Sequence, residues 1–121
     1  MKKRVVVERG IRIVVIDSTE ALMTSVQSTL DVLATVSYED DCDCMVMSQA
    51  AFAEAFFVLS SGLAGEVLQK FANYRKKLAI VGDFSGYTSK LLQDFMRECN
   101  AGRHVCFAAT EQEGIAWLAR A

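Results

Sequence analysis

Runs of β-branched residues alternate along this chain with stretches of helical apolar spacing, and that alternation predicts most of its elements. Lys3 to Glu8 and Ile11 to Ile16 are Val/Ile-rich runs separated by Arg9-Gly10, which reads as a hairpin or two neighbouring strands. Between Ser18 and Gln27 the pattern weakens. Leu22 and Val26 have helical spacing, but Thr24, Ser25, Ser28 and Thr29 compete for backbone hydrogen bonds and favour a loop or short turn. Ser28 followed by Asp31 resembles a helix start, and Leu30, Leu33 and Val36 form an apolar stripe, so a helix is predicted over 29–38. Cys44-Met45-Val46-Met47 reads as a short buried strand. Ala50 to Leu59 is an aromatic-rich connection with a short helical turn presenting Phe52, Phe56 and Phe57 to the core.

The strongest helical pattern follows. Leu63, Val67, Phe71 and Tyr74 share one face, broadened by Ala64 and Leu68, and Glu66 is spaced to pair with Lys70. Lys77 to Gly82 has the composition of an interior strand. A helix is predicted from Ser89 to Cys99, with Leu91, Leu92, Phe95, Met96 and Cys99 inward and Gly102 suited to a left-handed cap. His104 to Ala108 supplies a last strand, and Thr110-Glu111-Gln112-Glu113 is a capping box before Ile115, Trp117 and Leu118. This order defines a single α/β domain over 1–121: a mixed, mostly parallel sheet covered by helices, with the first two strands at its edge. Right-handed crossovers then place the loops that matter at the C-terminal strand ends, at Met47-Ser48-Gln49 and Gly82 to Tyr87.

Composition narrows the class. With 121 residues, 52% hydrophobic and 23% charged, the chain can bury a continuous core and is no disordered segment. A net charge of -2 gives no global attraction to nucleic acid or to an anionic membrane. The clusters Lys2-Lys3-Arg4 and Arg75-Lys76-Lys77 read as a solvated terminus and a dipole-favoured helix end. Glu8, Arg9 and Arg12 interrupt the apolar stretch behind the basic start, so a signal peptide is not expected, no run has membrane-spanning length, and cytoplasm is the default. Cys42 and Cys44 are one residue apart and Cys99 and Cys106 six, spacings that do not form zinc knuckles. The thiols read as core hydrophobes, and no metal or cofactor is expected. Glu39-Asp40-Asp41 lacks the ligand spacing of a calcium loop.

Two junctions carry the candidate chemistry. The first, Leu59-Ser60-Ser61-Gly62-Leu63, puts hydroxyls at a helix N-terminus, where they can cap it and where a phosphate would meet free N–H groups. The bland reading makes Ser60 or Ser61 the N-cap and Gly62 a close-packing position. The second junction offers Asp83, Ser85, Tyr87, Thr88, Ser89 and Lys90 to a small anionic ligand, although it lacks a P-loop pattern. Capping and turn formation account for Asp83 and Ser89 without a ligand. A triad of Ser85, His104 and Asp83 can be written down, but no nucleophile elbow supports a hydrolase, and no catalytic residue is assigned.

The chain resembles the bacterial domain-of-unknown-function family 4180. The likeness runs through Phe56-Phe57-Val58-Leu59, Gly62 to Phe71, Asn73-Tyr74 and Leu78 to Ser85, then Tyr87, Ser89-Lys90, Asp94-Phe95, Arg97-Glu98 and Asn100. That family is defined without an assigned activity. Leu59 to Leu63 also resembles, more loosely, the Asp-Ser-Ser-Gly-Leu junction of STAS (anti-sigma-factor antagonist) domains, with Leu59 in place of the aspartate. That resemblance implies a STAS-like fold and a partner kinase acting on Ser60 or Ser61. The expectation is therefore a small regulatory protein-interaction domain, switched by phosphorylation at a helix N-terminus, with a regulatory protein or kinase as partner and self-association open. The alternatives are a small anionic-ligand sensor using Asp83, Ser85, Tyr87, Ser89 and Lys90, and then a hydrolase.

Overall fold

Arg9 and Gly10 both adopt positive φ, 52° and 79°, the backbone of a two-residue turn whose twist matches the strands it joins. That turn closes an antiparallel hairpin of β1 (Lys2–Glu8) and β2 (Ile11–Asp17). The computed structural model describes residues 2–120. From β2 onward each strand returns parallel to the last: α1 (Val26–Glu39) leads to β3 (Cys44–Ser48), α2 (Leu63–Asn73) to β4 (Lys77–Val81), and α3 (Lys90–Ala101) to β5 (Val105–Ala108), after which α4 (Glu111–Ala119) closes the chain. The sheet order is β1-β2-β3-β4-β5, so every crossover steps one strand in the same direction. Three 3-10 turns, Gln49–Ala51, Glu54–Phe57 and Leu59–Ser61, connect β3 to α2. The expected mixed, mostly parallel α/β architecture is the one observed.

Alternation along the strands divides the core in two. Val14, Ile16, Met45, Met47, Leu78, Ile80, Val105 and Phe107 face α1, α2 and α3. Ile13, Val15, Cys44, Val46, Ala79, Cys106 and Ala108 face α4, which contributes Leu118, Ile115 and Trp117. Helix α4 approaches closely because Gly114 has no side chain: a Cβ there would lie 3.0 Å from that of Ala79.

Several local expectations are corrected. Helix α1 begins three residues before the predicted start, because Ser25 caps it and Ser28 completes the capping box. The Ser28 amide donates to Ser25 Oγ at 3.1 Å, and the Ser25 amide to Ser28 Oγ at 3.0 Å. The hydroxyls that weaken a helix interior here build its entrance. Tyr74 and Leu91, expected inward, are 57% and 73% exposed. Lys70 and Glu66 form no ion pair among the described residues; on the same helix Gln69 donates to Asn73 at 2.9 Å. Gly102 is not left-handed, with φ -87°: its amide bonds Cys99 O at 2.9 Å while the chain turns directly into β5.

The basic clusters are also more engaged than expected. Lys3 pairs with Asp40 at 2.9 Å, and Arg4 with Glu111 of α4, so β1 is tied at both faces of the sheet. Lys76 is buried and donates to Cys42 O at 3.2 Å and Asp43 at 2.9 Å, fixing the entry to β3.

The hairpin turn provides a test. A left-handed Arg carries a steric cost that Asn largely avoids. Arg9→Asn should therefore stabilise the fold by about 0.5–1 kcal/mol, measured by urea unfolding with an unchanged m-value.

Candidate functional site

The C-terminal edge of the parallel strands is roofed by aromatic rings. Phe52, Phe56 and Phe57, delivered by the 3-10 turns, contact in series at centroid separations of 4.7 and 5.0 Å. Phe57 stacks on Tyr87 at 5.1 Å, and Phe84 meets Phe107 at 5.4 Å, edge to face. This seam joins the loop after β3 to the loop after β4.

Polar contacts lock the same place. Tyr87 Oη accepts from Gln49 Nε2 at 2.8 Å, and the Gln49 side chain lies directly against Gly82. A Cβ at Gly82 would stand 2.4 Å from Gln49 Oε1 and 2.7 Å from Gln49 Cβ. The glycine is thus required by a close approach rather than by its own φ. The sequence placed Met47-Ser48-Gln49 on this edge but gave Gln49 no contact of its own. The available signal was Gly82 itself, since a glycine closing an interior strand marks another group pressed against the backbone.

The residues of the second junction serve separate local purposes. Asp83 Oδ1 accepts from the Ser85 amide at 3.0 Å and from Ser85 Oγ at 2.6 Å, and these bonds hold its carboxyl below the ordinary range. Ser89 caps α3, accepting from the Leu92 amide at 3.3 Å. Lys90 is exposed and reaches Asp94 at 3.5 Å. Tyr87 is committed to Phe57 and Gln49. The structure therefore brings Asp83 and Ser85 together, and Tyr87 against Gln49, but directs Lys90 along its own helix. Four surface cavities of about 300 to 480 Å³ lie elsewhere, none of them lined by these residues.

The triad of Ser85, His104 and Asp83 is not assembled. Asp83 and Ser85 follow the C-terminal end of β4, whereas His104 precedes the N-terminal end of β5, and the two strands are parallel.

At the first junction, Gly62 rather than either serine is the N-cap of α2, in the left-handed region at φ 79°. Nothing lies within 4 Å of a Cβ built at Gly62, so backbone conformation and not close packing selects the glycine. Ser61 Oγ donates to Ala55 O at 2.6 Å and accepts from the Leu63 amide at 3.2 Å. Ser60 is exposed, and its hydroxyl has no hydrogen-bond partner among the described residues. The Glu66 amide is the first of α2 to bond backwards, to Gly62 O at 3.1 Å, so those of Ala64 and Gly65 are left without a backbone acceptor.

The thiols lie in separate places. Cys42 belongs to the core beneath α1 to α3 and Cys44 to the one beneath α4, so the pair cannot share a ligand. Burial pushes Cys99 up to about 11 and Cys106 up to about 12. No group of three His, Cys, Asp or Glu side chains suited to a metal ion occurs among the described residues, and none of their helices is long and apolar enough to cross a membrane.

These features define an α/β domain whose strand-end loops are clamped by an aromatic seam. The family model of a domain of unknown function, DUF4180, matches residues 8–118, and the chain belongs to that family. No curated protein and no solved structure matches it.

Two measurements test this description. Gly82→Ala must displace Gln49 at its Cβ, not only at its mobile tip, and should cost about 1–3 kcal/mol in denaturant unfolding. The thiols predict alkaline sensitivity. An unfolded cysteine ionises near about 8.5, whereas folded Cys106 keeps its proton up to about 12. The stabilisation is complete below the lower value and is lost as pH rises toward the upper one, with a slope up to about 1.4 kcal/mol per pH unit. Cys106→Ala should flatten the decline in an unfolding series across that range.

Proposed function

We propose that this is a small regulatory domain that works by recognising another protein, and that Ser60 is the hydroxyl through which a kinase would switch it. The carrying observation is the division of labour between the two serines. Ser61 is bound on both sides, to Ala55 and Leu63, whereas Ser60 stands exposed and unengaged on the last turn before α2.

Its surroundings support both halves of the reading. Val58, two residues away, is 50% exposed and gives the turn an apolar contact point. A phosphate on Ser60 would add roughly two negative charges on the turn that leads into α2, whose Ala64 and Gly65 amides have no backbone acceptor. Glu66, in the first turn, already supplies one negative charge there, so modification would steepen an existing field rather than reverse it. The STAS-like reading of Leu59 to Leu63 uses the same turn. The aromatic seam beneath would present it on a rigid base.

Intact-mass measurement and phosphopeptide mapping of protein purified from its own cells test the proposal. The expected result is one phosphoryl group on Ser60, lost in Ser60→Ala and retained in Ser61→Ala. An unmodified Ser60, together with an unchanged set of co-purifying proteins for Ser60→Glu, would overturn it.

A further inference from the structure

The opposite, N-terminal edge of the sheet holds a different chemistry. Where β4 begins, α3 ends and α4 finishes, the chain encloses a cavity of about 400 Å³ lined by Lys77, Ala101, Gly102, Arg103, Trp117 and Arg120. Three of these are cations and none is an acid, although the chain carries more Asp and Glu (15) than Lys and Arg (13). Among the described residues no carboxylate lies within 4.0 Å of Lys77, Arg103 or Arg120. The adjacent Lys76 shows the contrast: it is buried and neutralised by Asp43 at 2.9 Å.

One wall is built rather than loose. Trp117 Nε1 donates to Asn100 O at 3.1 Å, which fixes the indole. The Arg120 guanidinium lies 4.1 Å from the centre of that ring and donates to Gly102 O. These contacts hold a planar cation at the rim while using only part of its donor fork. Lys77 and Arg103 face the same space from the start of β4 and the approach to β5.

Like charges gathered without a counter-charge disfavour one another, and a bound anion removes that penalty. Guanidinium forks match phosphate oxygens in pairs, and an ammonium adds a mobile point charge. The volume falls within the range of about 300–1,000 Å³ typical of small-molecule sites. We propose that this cavity binds a compact polyanion of the phosphate type, with Lys77, Arg103 and Arg120 as its charge partners and Trp117 as its apolar wall. The site is independent of the serine turn and shares no residue with it.

Trp117 is the only tryptophan, so its emission reports on the cavity directly. The test is a titration with inorganic pyrophosphate at constant ionic strength, followed by Trp117 fluorescence and in parallel by calorimetry. Saturable binding with a midpoint below about 1 mM is expected, with Lys77→Gln and Arg103→Gln each raising the midpoint at least about tenfold. Lys90→Gln, which removes a cation remote from the cavity, should leave the midpoint unchanged. The proposal fails if neither method detects saturable binding. It fails equally if Lys90→Gln weakens binding as much as Arg103→Gln, because the attraction would then be one of overall charge.

Discussion

Both faces of β2, β3 and β4 must be buried, and the connections cover them unequally. Because each crossover from β2 to β5 steps one strand the same way, right-handedness puts α1, α2 and α3 on a single face. The other face of the sheet is left to α4, a helix of nine residues. Residue size reflects this division. On β4 and β5 the three-helix side presents Leu78, Ile80, Val105 and Phe107, whereas the α4 side presents Ala79, Cys106 and Ala108, with Cys44 beside them on β3. Small side chains let one helix settle deeply enough to exclude water, and Gly114 lies close against Ala79. The role of two cysteines follows from the same constraint: Cys44 and Cys106 are small apolar fillers under α4, and Cys106 carries the most strongly raised thiol pKa in the described chain for that reason.

At the C-terminal strand ends a second constraint operates. Three successive 3-10 turns close only short backbone bonds of their own, with three more to Leu22 and Met23, and side chains supply the remaining anchorage. Phe52, Phe56 and Phe57 provide it by entering the main core, and the contacts of Phe57 with Phe84 and Tyr87 extend it across to the next loop. Gln49 and Gly82 then hold the two loops in register. What results is a firm platform with short exposed segments on it, of which the turn carrying Ser60 is one.

Much of this was legible in the sequence because period and punctuation agreed. The two neighbouring strands either side of Arg9-Gly10, the helix led by Val67 and Phe71, and the strand, helix and strand order followed from apolar spacing and turn residues. Errors arose where a residue's role depended on a distant partner. Ser25 looked like a helix weakener and Ser28 like the start itself, whereas each satisfies the other's amide and the helix begins between them. Ser61 looked like a cap, but its hydroxyl is used by Ala55 six residues earlier. Asp83, Ser85, Ser89 and Lys90 looked like one polar cluster because they are close in sequence, yet each finds a partner within a few residues of itself. The contacts of Gln49 and the basic cavity were not legible for the converse reason. Their neighbours come from segments far apart in the chain, which only the parallel topology brings together.

The N-terminal edge of the sheet shows how paired and unpaired charge divide the work. Lys76 and Lys77 are adjacent, but the first turns into the protein and secures the loop before β3, where Asp43 balances it. The second begins β4 and faces the cavity beside Trp117. Alternation of side-chain direction at the entry to a strand is enough to separate them. A buried, compensated ammonium is a structural tie, and removing it would leave Asp43 and the Cys42 carbonyl without their donor. An accessible one with no carboxylate within 4.0 Å among the described residues raises the local potential instead. The same distinction applies to α4. Its first residue, Glu111, pairs with Arg4 and ties the hairpin to α4, while beyond its last turn Arg120 lies over Trp117 with no carboxylate beside it among the described residues. One short helix thus completes the core along its length and delivers a cation to the rim at its end, so the demand that shaped the fold also placed the charge.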